Sequence, residues 1–157
     1  MERMRAGIVA VTLVLTGSAS AQPPALPMQQ ATAAPTPRVF GSNTGLVLNF
    51  IKPDKTADFE AVVEKLKEAL EHSPNPQRQQ QAASWRVFKA QDPAAGGVVL
   101  YVYIVDPAVK GADYTVTTIL AEAFSSDELL ALYKQYTEAY ASGQNFVSLS
   151  LVSDLGK

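Results

Sequence analysis

The chain has no cysteine, and that absence removes disulfides, thiolate metal sites, iron–sulfur clusters and cysteine nucleophiles together. Histidine is nearly absent as well: His72 stands alone, so a zinc site would need three carboxylates beside it, and no such cluster is visible in the sequence. Charge is sparse. Only 18% of the 157 residues are charged and the net charge is −2, a balance that favours neither nucleic acid nor an anionic membrane as partner. No long hydrophobic run occurs either. The best apolar stretch, Ala6 to Thr16, has about 11 residues where a helix needs roughly 20 to span a bilayer, so no stable membrane anchor is expected. Gly96-Gly97 lacks the Lys-Ser/Thr of a phosphate loop, and Ser125 and Ser126 lack the His and Asp companions of a hydrolase.

What is present begins with an export pattern. Met1 to Arg5 is a basic opening, Ala6 to Thr16 is the apolar run, and Ala19-Ser20-Ala21 supplies the small residues that a signal peptidase accepts before Gln22. The expectation is a signal peptide over 1–21, cleaved between Ala21 and Gln22, and a periplasmic or secreted protein. Without a cysteine after the apolar run, lipoprotein attachment is excluded. Residues 22–43 follow as a disordered, Pro/Ala-rich leader, with prolines at 23, 24, 27, 35 and 37, because such a segment buries too little apolar surface to offset its ordering entropy. The remaining 44–157, drawn from a chain that is 47% hydrophobic, suffices for one domain with a core.

Within that domain, period-two alternation predicts strands over 45–51, 85–90, 98–105 and 145–152. Between them, Thr56 is a plausible N-cap for a helix ending near His72, with Phe59, Val62, Val63, Leu66 and Leu70 on one face. Asn75-Pro76 predicts a short helix to Ala83, with Gln77 to Ala82 a solvated, Gln-rich stretch. Tyr114 to Phe124 reads as helical. Ser125 with Glu128 forms a capping box for a further helix carrying Leu129, Leu130, Leu132, Tyr133, Tyr136 and Tyr140, with Gly143 at its C-terminal end. The order βαββαβ predicts an α+β, ferredoxin-like domain: a four-stranded antiparallel sheet with helices on one face.

The sheet faces carry the functional expectations. The aliphatic sets Leu46/Leu48/Phe50, Val98/Leu100/Val102/Ile104 and Val147/Leu149/Leu151 are expected beneath the helices. The other face then bears Val47, Asn49 and Ile51 with Val99, Tyr101, Tyr103 and Val105, and Phe146, Ser148 and Ser150, joined from 85–88 either by Arg86 and Phe88 or by Trp85 and Val87. A face that apolar is expected to meet a second subunit or a ligand.

Gly45-Leu-Val-Leu-Asn-Phe-Ile-Lys-Pro-Asp54, leading into the Phe59 to Leu70 helix, resembles the strand, proline turn and helix that open domains of the dimeric α+β barrel superfamily, the group that includes antibiotic-biosynthesis-monooxygenase-like domains. The resemblance spans about Thr44 to Val152. It implies a homodimer whose two sheets face each other around a pocket, and it needs no cofactor. Some cofactor-independent oxygenases of that superfamily use an asparagine, a tryptophan and a basic or histidine residue, matched here by type at Asn49, Trp85, Arg86 and His72. The competing expectation is that these residues serve packing, interface and helix-end roles. Asn49, Arg86, Tyr101, Tyr103, Ser148 and Ser150 are the candidate ligand-binding residues of the barrel interior, for a small, partly apolar molecule. Three readings stay open: a ligand-binding or interaction domain, a monooxygenase-like enzyme, and a purely structural dimeric module.

Overall fold

The computed structural model describes residues 36–156, so the export pattern, its Ala21–Gln22 junction and the leader up to residue 35 lie outside the described residues. Alternating side chains form β1 (Thr44–Ile51), β2 (Trp85–Lys89), β3 (Val99–Val105) and β4 (Tyr140–Leu149). Helical periodicity forms α1 (Thr56–Glu71), α2 (Pro76–Ser84), α3 (Val116–Ala123) and α4 (Ser126–Ala139). The result is an α+β domain. Its one sheet has the order β2-β3-β1-β4, and every neighbouring pair is antiparallel.

Local signals explain most of the boundaries. Pro53 opens a single 3-10 turn after β1, since proline has no donor to offer a strand, and α1 begins on Thr56 with Lys55 rather than Thr56 at the N-cap. Asn75 caps α2 by accepting from the Gln77 N–H at 2.9 Å. Glu128 accepts from both the Ser125 hydroxyl (2.8 Å) and the Ser125 N–H (3.3 Å), which fixes the start of α4. The end of α4 departs from expectation. The helix stops at Ala139, and Gly143 lies inside β4, where four residues (140 and its successors to 143) run against two of β1 as the pairing shifts from Asn49–Gln144 to Ile51–Tyr140. Glycine suits that bulge as well as it suits a helix end, which is why its presence misplaced the boundary.

The core sits between the helices and one sheet face, and that face is the reverse of the expected one. Gly45, Val47, Asn49 and Ile51 of β1 and Tyr101, Tyr103 and Val105 of β3 are buried under the helices, whereas Leu46, Leu48, Phe50, Leu100, Val102 and Ile104 lie on the other side and are only half-buried. Alternation separates two faces but does not say which one the helices cover. The deciding feature is aromatic volume. Phe59 of α1 lies within 4.8 to 6.2 Å of the Tyr101, Tyr103, Tyr136 and Tyr140 rings, centroid to centroid, so tyrosines bridge the gap between helix and sheet. On α4, Leu132, Tyr136 and Ala139 are buried, while Leu130 and Tyr133 face outward.

Folded structure also starts earlier than residue 44. Arg38 to Asn43 form an arm against the domain: Phe40 is 6% exposed and stacks on Phe146 at 4.0 Å. The arm is pinned by backbone bonds from Tyr114 N to Arg38 O and from Ala108 N to Asn43 O. A Cβ on Gly45 would come within 2.3 Å of the Phe40 ring, so the glycine makes room for the arm. A Pro/Ala composition upstream concealed this one anchoring aromatic.

Candidate functional site

The residues singled out as barrel lining are divided by the structure. Asn49, Tyr101 and Tyr103 belong to the helix-covered core. Ser148 pairs with Gly45 on that same side at the far end of β4, where its Oγ accepts from the Gly41 N–H at 2.9 Å. Ser150 follows the end of β4 and is exposed. Arg86 alone of the six lies on the open face, because Arg86 and Phe88 pair with Ile104 and Val102 while Trp85 and Val87 pair with Val105 and Tyr103. His72 ends α1, its Nδ1 3.0 Å from the Glu68 carbonyl. Asn49, Trp85, Arg86 and His72 therefore do not converge on one pocket.

Asn49 is fully buried, and its amide is fully engaged. Its Oδ1 accepts from Tyr140 OH at 2.9 Å and Gln144 Nε2 at 2.7 Å, and its Nδ2 donates to the Tyr101 carbonyl at 3.2 Å. Gln144 extends the network to Tyr136 OH at 2.6 Å, and the Arg38 guanidinium donates to Gln144 Oε1 from the arm. Burial raises the Tyr136 phenol, and burial together with the neighbouring Tyr136 raises Tyr140. Burial likewise drives Tyr103 well above its usual value. The raised values keep these phenols protonated near neutral pH, so Tyr136 and Tyr140 take part in an interior polar network as hydrogen-bond donors and acceptors. Tyr101, by contrast, donates to Glu60, which also takes Lys89 at 2.9 Å; those two bonds hold the Glu60 carboxyl below its ordinary range.

Two buried polar residues had no clear signal in the sequence. Arg78 and Gln81, in the stretch expected to be solvated, point inward from α2. Arg78 grips Glu122 of α3 through two bonds of 2.9 and 2.7 Å, donates to Gln81 Oε1 at 2.8 Å, and also reaches the Asp113 carbonyl. Their i, i+3 spacing on α2 places both on one side, but their polarity hid that this side faces the core.

Asp113 ties the arm to the same region. Its Oδ1 accepts from the Arg38 N–H, the Thr115 N–H and the Thr115 hydroxyl. Burial pushes this carboxyl up, but the Thr115 hydroxyl and the two backbone N–H groups outweigh burial and hold it below the usual 3.8. A depressed carboxylate stabilises the fold while ionised, and that contribution is lost as pH falls through its lowered folded-state value. Between pH about 4 and 2, the urea midpoint is therefore expected to fall less in Asp113→Asn than in the parent chain. Parallel losses in the two proteins would contradict the role given to Asp113.

The open sheet face is the other distinctive surface. Leu46, Leu48, Phe50, Phe88, Leu100, Val102, Ile104, Val147 and Leu149 share it, by register, with Thr44, Asn145 and Arg86. Phe88 is 49% exposed and Val147 39%. Asp106 stands at its margin, 3.3 Å from the Thr44 hydroxyl. No metal-holding group of His, Asp and Glu exists among the described residues, and no helix there is long and apolar enough to cross a membrane. Comparison with protein-family models, with curated proteins and with solved structures finds no match to the chain.

Proposed function

We propose that this chain is an exported interaction domain of ferredoxin-like fold, and that two copies pair through their open sheet faces into a barrel of the dimeric α+β kind. The observation that carries the reading is the open face itself: nine apolar side chains spread over four strands, with Arg86 the one charged residue among the strand positions of that face. Monomeric proteins rarely leave so continuous an apolar surface in water. A twofold partner presenting the same surface covers it without any new sequence feature. The strand order β2-β3-β1-β4 with antiparallel neighbours is the order expected of a split βαβ fold and supports the ferredoxin-like assignment. Export rests on the basic, apolar and small-residue segments before Gln22.

With Asn49, Tyr101 and Tyr103 spent on the core, the inward surface of such a barrel is mostly apolar, with Arg86 its one charged strand residue, which favours packing between subunits over chemistry. A monooxygenase-like reaction gains no support, since the Asn49 amide is satisfied within the subunit and Trp85 and Arg86 point to opposite sides of the sheet. The test is a charge placed at the centre of the face. Light scattering on the protein is expected to give twice the chain mass, and Val102→Lys is expected to give a single chain mass with unchanged far-UV circular dichroism. A parent protein that is monomeric at tens of micromolar sinks the proposal.

A further inference from the structure

A second concave feature lies on the helix side of the sheet, away from the open face. Between α1 and the edge strand β2 runs a half-open cleft of about 240 Å3, floored by Val63, Leu66, Leu70, Ala82 and Val87 and walled by Trp85. The wall is fixed in place: the Trp85 ring packs edge-on against Tyr103 at 5.5 Å and Tyr114 at 5.3 Å. The volume falls just below the roughly 300–1,000 Å3 of sites for drug-sized molecules, so it suits a single ring with a short substituent.

The rim is what distinguishes this cleft from an ordinary packing groove. Glu64, Lys67 and Glu71 stand along it at i, i+3 and i+7 of α1. The other charged residues of that helix are paired: Asp58 with Lys55, Lys65 with Glu68, and Glu60 with Lys89. Glu64, Lys67 and Glu71 make no ion pair among the described residues, which leaves a rim with one excess negative charge above an apolar, tryptophan-walled floor. An apolar floor takes an apolar body, an indole wall takes a ring, and two carboxylates against one lysine favour a cationic group at the mouth.

We infer that the cleft between α1 and β2 binds a small ring-bearing ammonium compound, with the ring against Trp85 and the ammonium group at one of the two rim carboxylates, Glu64 or Glu71. The site is independent of subunit pairing, because Trp85 and Val87 lie on the side of the sheet away from the open face.

Trp85 is the one tryptophan of the chain, so its indole N–H, itself buried, gives a single resonance that senses a ring packed on the indole through the ring current of that neighbour. Titration of the isotope-labelled protein with 2-phenylethylammonium is expected to shift that resonance saturably, with 3-phenylpropionate, of similar size and opposite charge, moving it far less. The surface variant Glu64→Gln/Glu71→Gln is expected to weaken the amine about fivefold, in keeping with the modest strength of exposed ion pairs, without changing the unfolding midpoint. Val63→Phe, which fills the floor, is expected to abolish the shift. An indole resonance unmoved by millimolar amine, an equal response to the carboxylate, or undiminished binding in the double glutamine variant each overturns the inference.

Discussion

Phe59→Ala is expected to cost the domain about 4 kcal/mol, because buried Phe→Ala changes usually cost ~3–5 kcal/mol. The side chain is fully buried, and four tyrosine rings surround it, two from β3, one from α4 and one from the start of β4. Three of those rings are held by polar groups at their far ends: Tyr101 by Glu60, Tyr136 by Gln144 and Tyr140 by Asn49. They are therefore poorly placed to collapse into the space that alanine would leave, and the cavity cost should be near the top of its range. Urea denaturation measures the effect. A loss below ~1 kcal/mol would mean that the aromatic layer does not hold α1 to the sheet.

The arm should yield another large effect. Phe40→Ala is expected to cost about 3 kcal/mol, although Phe40 lies outside every helix and strand. Its ring is stacked on Phe146, tilted against Tyr114 at 4.9 Å, and laid over Gly45. That last contact predicts a coupled pair. Gly45→Ala alone should destabilise, since the new methyl group must displace the ring. In a Phe40→Ala background the same change should be neutral or mildly stabilising, because alanine then only reduces backbone freedom in a strand. Additive single effects in the double-mutant cycle would show that the arm does not lie over β1.

These two predictions also mark how far the sequence could be read. The four strands and the main helices were legible because their apolar residues repeat at the strand and helix periods, and the caps at Asn75 and Ser125 were legible from residue type. The choice of buried face was not. Leu46, Leu48 and Phe50 look more core-like than Val47, Asn49 and Ile51, yet the helices cover the second set, where Tyr101 and Tyr103 pack on Phe59 and Asn49 finds three partners, contacts that no local pattern announces. Inverting that face moved Asn49, Tyr101 and Tyr103 from a supposed pocket to the core and left Arg86 on the open side. Phe40 and Arg78 escaped for a related reason. Each acts through partners more than 30 positions away, Phe146 for one and Glu122 for the other, and spacing along the chain carries no trace of such contacts.

The same inversion sharpens what the open face can be. An interior of leucine, isoleucine, valine and phenylalanine has few hydrogen-bonding groups to orient a substrate, but it is well suited to interlock with its own copy. The α1–β2 cleft, with its tryptophan wall and charged rim, is then the better candidate for a small molecule. The pairing of the sheets is read most directly by isotope-filtered nuclear Overhauser measurements on a mixture of labelled and unlabelled protein. Intermolecular contacts are predicted among the methyl groups of Leu46, Leu48, Val102 and Ile104, with none from Val62 or Leu66 in the core. An associated protein whose open-face methyl groups make no intermolecular contact, or contacts confined to other surfaces, would contradict the pairing.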